Sequence, residues 1–277
     1  MQTLETSRGR LEFRYDRRAQ GCVLLLNGGH TNPDMRDSER YFIDRGHGVI
    51  SVARPGYCHT SAKLDEAFGG FERAVGELLD HLDLTAVKVL GVSAGGRSAM
   101  RFAQLLPERC THLVLFRSTS FQPWPGTALR LGTYLGFNPV AERFTWAILR
   151  SALRKWPQWT TERLFSSLTT LDAQEVLASY SAEARRDIFE LFMEMRSGAG
   201  FVKDIGARAR RGSASAIRAP TLIVHSRFDR QVSSGHATKI ARDIPNARLI
   251  MNDTESHLMW MSPRWREVEQ ELDLFLA

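Results

Sequence analysis

The sequence predicts a doubly wound α/β protein on a mostly parallel, eight-stranded sheet, with a helical segment inserted after the sixth strand. Three observations predict it. Six short apolar runs are continuous rather than alternating, as in strands buried on both faces of a parallel sheet. Helix-like stretches lie between most of these runs, the order expected of βαβ units. From about residue 121 to residue 212 no strand run occurs, and amphipathic helical patterns replace it.

Taken in order, residues 2–8 and 10–16 alternate around Arg8-Gly9 and read as an opening hairpin. CVLLLN at 22–27 gives the third strand and residues 37–45 a first helix. GVISVA at 48–53 gives the fourth strand, followed by a helix over 67–82. AVKVLGV at 86–92 runs into a helix over 97–106, and HLVLF at 112–116 is the sixth strand. TLIVH at 221–225, a helix over 235–243, ARLIM at 247–251 and a C-terminal helix over 264–276 complete the set. The right-handed crossover rule leaves few ways to arrange them.

The inserted segment is opened by FQPWPG and closed by RRGSASAIRAP, both rich in turn-forming residues. It contains VAERFTWAILRSALRKW and AEARRDIFELFMEMR, which are helical by their apolar spacing. The expected organisation is a core domain over 1–120 and 213–277 and a helical cap over 121–212. Four of the six tryptophans fall in the cap: Trp124, Trp146, Trp156 and Trp159. Each alone is explained as cap core. Together they suggest a roofed apolar pocket for a small molecule.

Bulk composition narrows the function. With 43% hydrophobic and 25% charged residues over 277 positions, the chain can bury a large core. No apolar run is long enough to span a bilayer, and the polar N-terminus has no secretory pattern, so a cytoplasmic protein without membrane insertion is expected. Three cysteines, Cys22, Cys58 and Cys110, share no metal-binding or redox spacing and read as reduced thiols. The net charge of +6 invites a nucleic-acid reading. The basic residues are dispersed, however, apart from the ARARRG run around Arg208 to Arg211, and no aromatic–basic interleaving accompanies them. No nucleic-acid partner is expected.

The chemistry concentrates in VKVLGVSAGGRSAM, residues 87–100. Gly-x-Ser-x-Gly alone is a weak signal. At the end of a buried strand and the start of a helix it is a strong one, because a reversal that tight strains the central residue and lifts its hydroxyl out of the sheet. Ser93 is therefore the candidate nucleophile, and the Ala94 amide faces developing negative charge at the helix N-terminus. A serine hydroxyl needs a base, and the base needs an acid to orient it. TLIVH leads to SRFDRQV, offering Asp229. ARLIM leads to NDTESHLMW, offering His257, the one late histidine in such a loop. Asp253 and Glu255 compete as the acid but read first as a solvated turn. The loop after HLVLF, RSTSF, offers no carboxylate.

These motifs resemble the α/β-hydrolase superfamily, in its cap-bearing, esterase-like branch. VLLLNGG resembles the family's strand followed by His-Gly-x, which implies an oxyanion donor at the Gly29 amide beside that of Ala94. GVISVARPGYCHTS resembles the segment ending in Asp-x-Pro-Gly-x-Gly-x-Ser, and SHLMW the loop that carries the histidine. Three positions depart from the pattern: Asn27 for histidine, Ala53 for aspartate and Cys58 for glycine. They imply altered support of the oxyanion loop with the chemistry retained. His30, next to Gly29, is a candidate substrate contact.

The expectation is a serine hydrolase, carboxylesterase-like, cleaving an ester or related acyl bond of a small to medium, largely apolar substrate. It would work through Ser93, His257 and Asp229, with no metal or organic cofactor. The alternatives are carbon–carbon bond hydrolysis or haloperoxidase-type perhydrolysis on the same residues, or a small-molecule-binding protein of the same fold. Arg54, Arg97 and Arg227 lie near strand ends and read as structural or surface charges before they read as an anion clamp.

Overall fold

The computed structural model describes residues 1–206 and 208–277; Ala207, inside the expected cap range, lies outside the described residues. Eight strands form one sheet: β1 (Gln2–Thr6), β2 (Gly9–Asp16), β3 (Cys22–Leu26), β4 (Gly48–Val52), β5 (Val87–Val92), β6 (Cys110–Phe116), β7 (Thr221–Ser226) and β8 (Ala247–Asn252). Their order is β1-β2-β4-β3-β5-β6-β7-β8. The β1–β2 and β2–β4 pairs are antiparallel and all others parallel. After β4 the chain crosses back over β3 to lay down β5. The carboxyl ends of β3 and β5 thus flank the switch point, where an open α/β sheet forms its crevice.

Five of the six continuous apolar runs are largely buried on both sides, as their composition requires; the sixth, β8, was expected to be like them but lies at the sheet edge and is only half-buried. One face, with Leu24, Val89, Leu113 and Ile223, packs against α2 (Gly70–His81), α3 (Gly95–Leu105) and α10 (Ser234–Asp243). The other, with Val23, Leu90, Val114 and Leu222, packs against α1 (Arg40–Asp44) and α11 (Trp265–Leu276). Residues that alternate along each strand serve opposite layers, the period-2 geometry of a strand.

Between β6 and β7 lie six α-helices among the described residues: α4 (Thr127–Phe137), α5 (Glu142–Lys155), α6 (Pro157–Phe165), α7 (Ala173–Ser179), α8 (Ala182–Glu194) and α9 (Gly200–Ile205). Leu153, Phe165, Val176 and Ile188 make a core of their own, which also takes in Met35, Leu258 and Met261 from the sheet layer.

Some details differ from the expectation and others agree with it. Residues 67–69 are not helical, because Gly69 takes a left-handed φ of 75° and resets the chain before α2. The sixth strand begins at Cys110, two residues before the expected start at His112. Trp156 and Trp159 are 53% and 64% exposed and do not contribute to a pocket roof. Cys22, Cys58 and Cys110 are free thiols. Among the described residues no helix is long and apolar enough to cross a membrane.

Candidate active site

Ser93 stands between the end of β5 and the start of α3 with a left-handed φ of 51°. Such a backbone costs a non-glycine residue about 1–3 kcal/mol and persists only when its surroundings over-determine it. They do so here. The Ser93 amide donates to the Phe116 carbonyl at 2.9 Å, and its own carbonyl accepts from the amides of Gly96 and Thr119, both at 3.1 Å. The flanking glycine is a steric necessity: a Cβ on Gly95 would collide with the carbonyl oxygens of Leu26 and Asn27. Gly95→Ala is therefore expected to push α3 off the end of β3 and cost about 1–3 kcal/mol of stability. Urea unfolding checks this, and an unchanged midpoint would contradict the close approach.

The imidazole of His257 bridges two partners. Its Nε2 lies 3.1 Å from Ser93 Oγ and its Nδ1 lies 2.7 Å from Asp229 Oδ2. The loop after β7 fixes Asp229, whose Oδ1 accepts from the amides of Gln231 at 2.8 Å and Val232 at 3.0 Å. Burial works to raise the Asp229 carboxyl, but the charge and hydrogen bond of His257, with His225 and the Val232 amide, bring it below its ordinary value. An ionised carboxylate only accepts, so Nδ1 carries the proton and Nε2 is left to accept from Ser93. Burial, with Arg117 in support and Asp229 opposing, pushes the imidazole down to about 4. At neutral pH the ring is a free base.

The loop from Asn27 to Gly29 passes so close to the serine that a Cβ on Gly28 would lie 3.1 Å from Ser93 Cβ. Arg54, 5% exposed, holds this loop from behind: its Nε donates to the Asn27 carbonyl at 2.7 Å and its Nη2 to the Gly28 carbonyl at 2.8 Å. In a trans peptide the carbonyl and the next amide point to opposite sides, so anchoring the Gly28 carbonyl on Arg54 turns the Gly29 N–H away from it. The amides of Gly29 and Ala94 donate to no acceptor among the described residues. The Arg54 charge is matched by Asp204 of α9, which also accepts from Tyr57 Oη at 2.6 Å. The helices between β6 and β7 are thereby tied to the loop beside Ser93.

A cavity of about 270 Å³ opens onto Ser93, His257 and Gly29, with walls that include Trp124, Phe137, Trp146 and Phe201. His30 is part of this wall, its ring 3.8 Å from that of Phe201 and its Nδ1 2.7 Å from Ser197 Oγ. Burial lowers His30 to about 3, so it faces the cavity as a neutral aromatic.

The structure thus brings Ser93, His257 and Asp229 together, with the Gly29 and Ala94 amides beside them. The rival acids lie elsewhere. Asp253 pairs with exposed Arg227 at 3.0 Å, and Glu255 accepts from Tyr180 Oη at 3.2 Å. Arg97 is spent on the carbonyls of Ser120, Gln122 and Asp204. Cys58, where the resemblance expects glycine, does take the left-handed backbone, at φ 48°. Sequence reasoning missed the contribution of residues 168–170. The Leu168 carbonyl accepts from the His257 amide at 2.8 Å, Thr169 bridges to Asp229, and the Thr170 amide donates to Phe228. This stretch has no apolar period and no turn signature, so nothing in the chain advertised it.

The chain belongs to the alpha/beta hydrolase fold family, whose model matches residues 21–262. It is 29% identical over 259 residues to the uncharacterized hydrolase YcgS of Bacillus subtilis (strain 168), covering 92% of this chain and 90% of that protein. It is 26% identical over 252 residues to the 2-hydroxy-6-oxo-6-phenylhexa-2,4-dienoate hydrolase of Comamonas testosteroni, covering 86% and 82%. Among solved structures, an alpha/beta hydrolase fold protein from Nakamurella multipartita superposes with a TM-score of 0.78 at 24% identity, covering 99% of this chain and 98% of that one.

Proposed function

We propose that this protein is a serine hydrolase that cleaves an ester or related acyl bond of a small to medium, largely apolar substrate, with residues 121–212 acting as a cap over a core of 1–120 and 213–277. The observation that carries this reading is the single imidazole of His257 within hydrogen-bond reach of both Ser93 Oγ and Asp229 Oδ2. Ser93 Oγ attacks the acyl carbonyl while His257 Nε2 takes its proton, and Asp229 stabilises the imidazolium that forms. The oxyanion is received by the amides of Gly29 and Ala94. His257 returns the proton to the leaving oxygen. A water then repeats the sequence on the acyl-enzyme, releasing the acid and restoring Ser93. Membership of the hydrolase family and the aromatic cavity beside the serine support this reading.

A panel of p-nitrophenyl esters from acetate to palmitate tests it. Short to medium acyl chains are expected to turn over, with a fall at long chains that a cavity of about 270 Å³ does not hold. Absence of turnover across the panel would overturn the reading. The second reading is cleavage of a carbon–carbon bond beside a ketone by the same residues. Similarity to a protein named as a 2-hydroxy-6-oxo dienoate hydrolase favours adding such compounds to the panel.

The pH dependence follows from the same ring. Catalysis needs His257 as free base, and its folded value is lowered to about 4, so activity is present above that value and lost as pH falls through it. The acid limb of kcat/KM is expected near pH 4. A midpoint near 6.5, the ordinary histidine value, would contradict the burial of the ring.

A further inference from the structure

Ser93 and His257 also border a second, smaller cavity of about 70 Å³, which shares Gly29, Leu168 and Met195 with the aromatic one. Its wall carries an unusual surplus of donors. Arg117 Nε and Nη1, Asn27 Nδ2 and Trp260 Nε1 are all buried without a hydrogen-bond partner among the described residues, and all three side chains line this one cavity. Arg117 is 4% exposed and Asn27 8%. The Arg117 guanidinium lies over the Trp260 ring, 3.9 Å from its centroid, and burial pushes it down to about 9. Native proteins rarely leave even one buried donor unmet, and unmet donors clustered on one cavity call for an acceptor.

We propose that this small cavity binds a carboxylate group of the substrate through Arg117, with Asn27 and Trp260 as further donors. The preferred substrate would then be an acid-bearing ester whose apolar part occupies the aromatic cavity. The inference rests on the serine-hydrolase reading and deepens it. An ionised carboxylate offers about four acceptor sites and no donor, the complement of a wall whose buried unmet groups, among the described residues, are all N–H. The ionised Asp229 and the wall residue Asp37 limit the charge to one. The field of Asp229 reaches Arg117, but its oxygens are already bonded to His257, Gln231 and Val232. Burial, with Asp187 and Glu194 in support, pushes Asp37 up to about 6, so it is still mostly ionised at neutral pH and opposes a second negative charge in the cavity.

The test compares phenyl monoesters of succinate, glutarate and adipate with phenyl esters of the matching uncharged acids. In the wild type the best charged ester is expected to exceed its neutral partner in kcat/KM by about 10-fold to 100-fold, the range of a hydrogen bond to a charged group. Arg117→Gln is expected to collapse that ratio toward one, and Arg117→Lys to restore part of it. If neutral esters turn over through Ser93 and no charged ester is better, the carboxylate inference falls and the hydrolase reading stands. If Arg117→Gln does not fold, the wild-type ratio decides alone. If no ester turns over, the hydrolase reading falls, and thermal shift of Ser93→Ala with acetate against acetamide decides for the cavity: stabilisation by acetate only supports the site, and equal or absent shifts overturn it.

Discussion

Ser93→Ala is expected to lower ester turnover by about 10⁴-fold or more while leaving circular dichroism and the unfolding midpoint near those of the wild type. The size of the loss reflects what the alternative nucleophile would be. Without Oγ, only water held near His257 can attack, and the Gly29 and Ala94 amides then act on a reaction with no covalent intermediate. The stability side is set by the φ of 51° at this residue, which alanine does not relieve. Glycine does. The left-handed penalty removed is about 1–2 kcal/mol against an unfolded-state entropy cost of about 0.5–1 kcal/mol. Ser93→Gly is therefore expected to be equally inactive and more stable than Ser93→Ala by about 0.5–1 kcal/mol in urea unfolding. Equal midpoints would place the strain elsewhere in the reversal.

Asp229→Asn is expected to cost about 10⁴-fold in kcat with little change in fold. An asparagine oxygen can keep the two amide bonds from Gln231 and Val232 that the aspartate accepts now. That places Nδ2, a donor, against His257 Nδ1, which must then accept. The ring proton moves to Nε2, the nitrogen facing Ser93 Oγ, and the base is lost although every atom is in place. Asp229→Ala is expected to lose a similar amount, because it too removes the acceptor that fixes Nδ1–H. A variant Asp229→Asn with more than a tenth of wild-type kcat would contradict the assignment of Asp229 as the orienting acid.

The parts of this architecture that could be read from the chain are those dictated by short-range chemistry. Strands buried on both faces must be continuously apolar, so CVLLL, VKVLGV and TLIVH declared themselves. The tight reversal at Ser93 needs small neighbours, and Gly95 shows why: no side chain fits against the Leu26 and Asn27 carbonyls. Asp229 and His257 could be picked out because each follows a recognisable strand. What remained hidden depends on packing between distant segments. Helices α6, α7 and α9 are nine, seven and six residues long, too short for an apolar period to stand out. Arg54 reads as one more surface charge until Asp204, 150 residues further on, is seen against it. Arg117 follows an ordinary strand end in RSTSF, and its want of partners exists only in three dimensions. The helical patterns of α5 and α8 were legible. Which of their aromatic neighbours would line a cavity was not, since Trp146 is buried over the site and Trp156 and Trp159 face solvent.

The most direct measurement is labelling by a fluorophosphonate, which bonds covalently to a serine oxygen only when a neighbouring base makes that oxygen nucleophilic. Digestion and mass spectrometry of the treated protein should find the adduct on Ser93 alone, with labelling abolished in His257→Gln and strongly slowed in Asp229→Asn. A wild-type protein that takes up no label, or takes it at the same rate without His257, would contradict the claim that these side chains make the serine reactive.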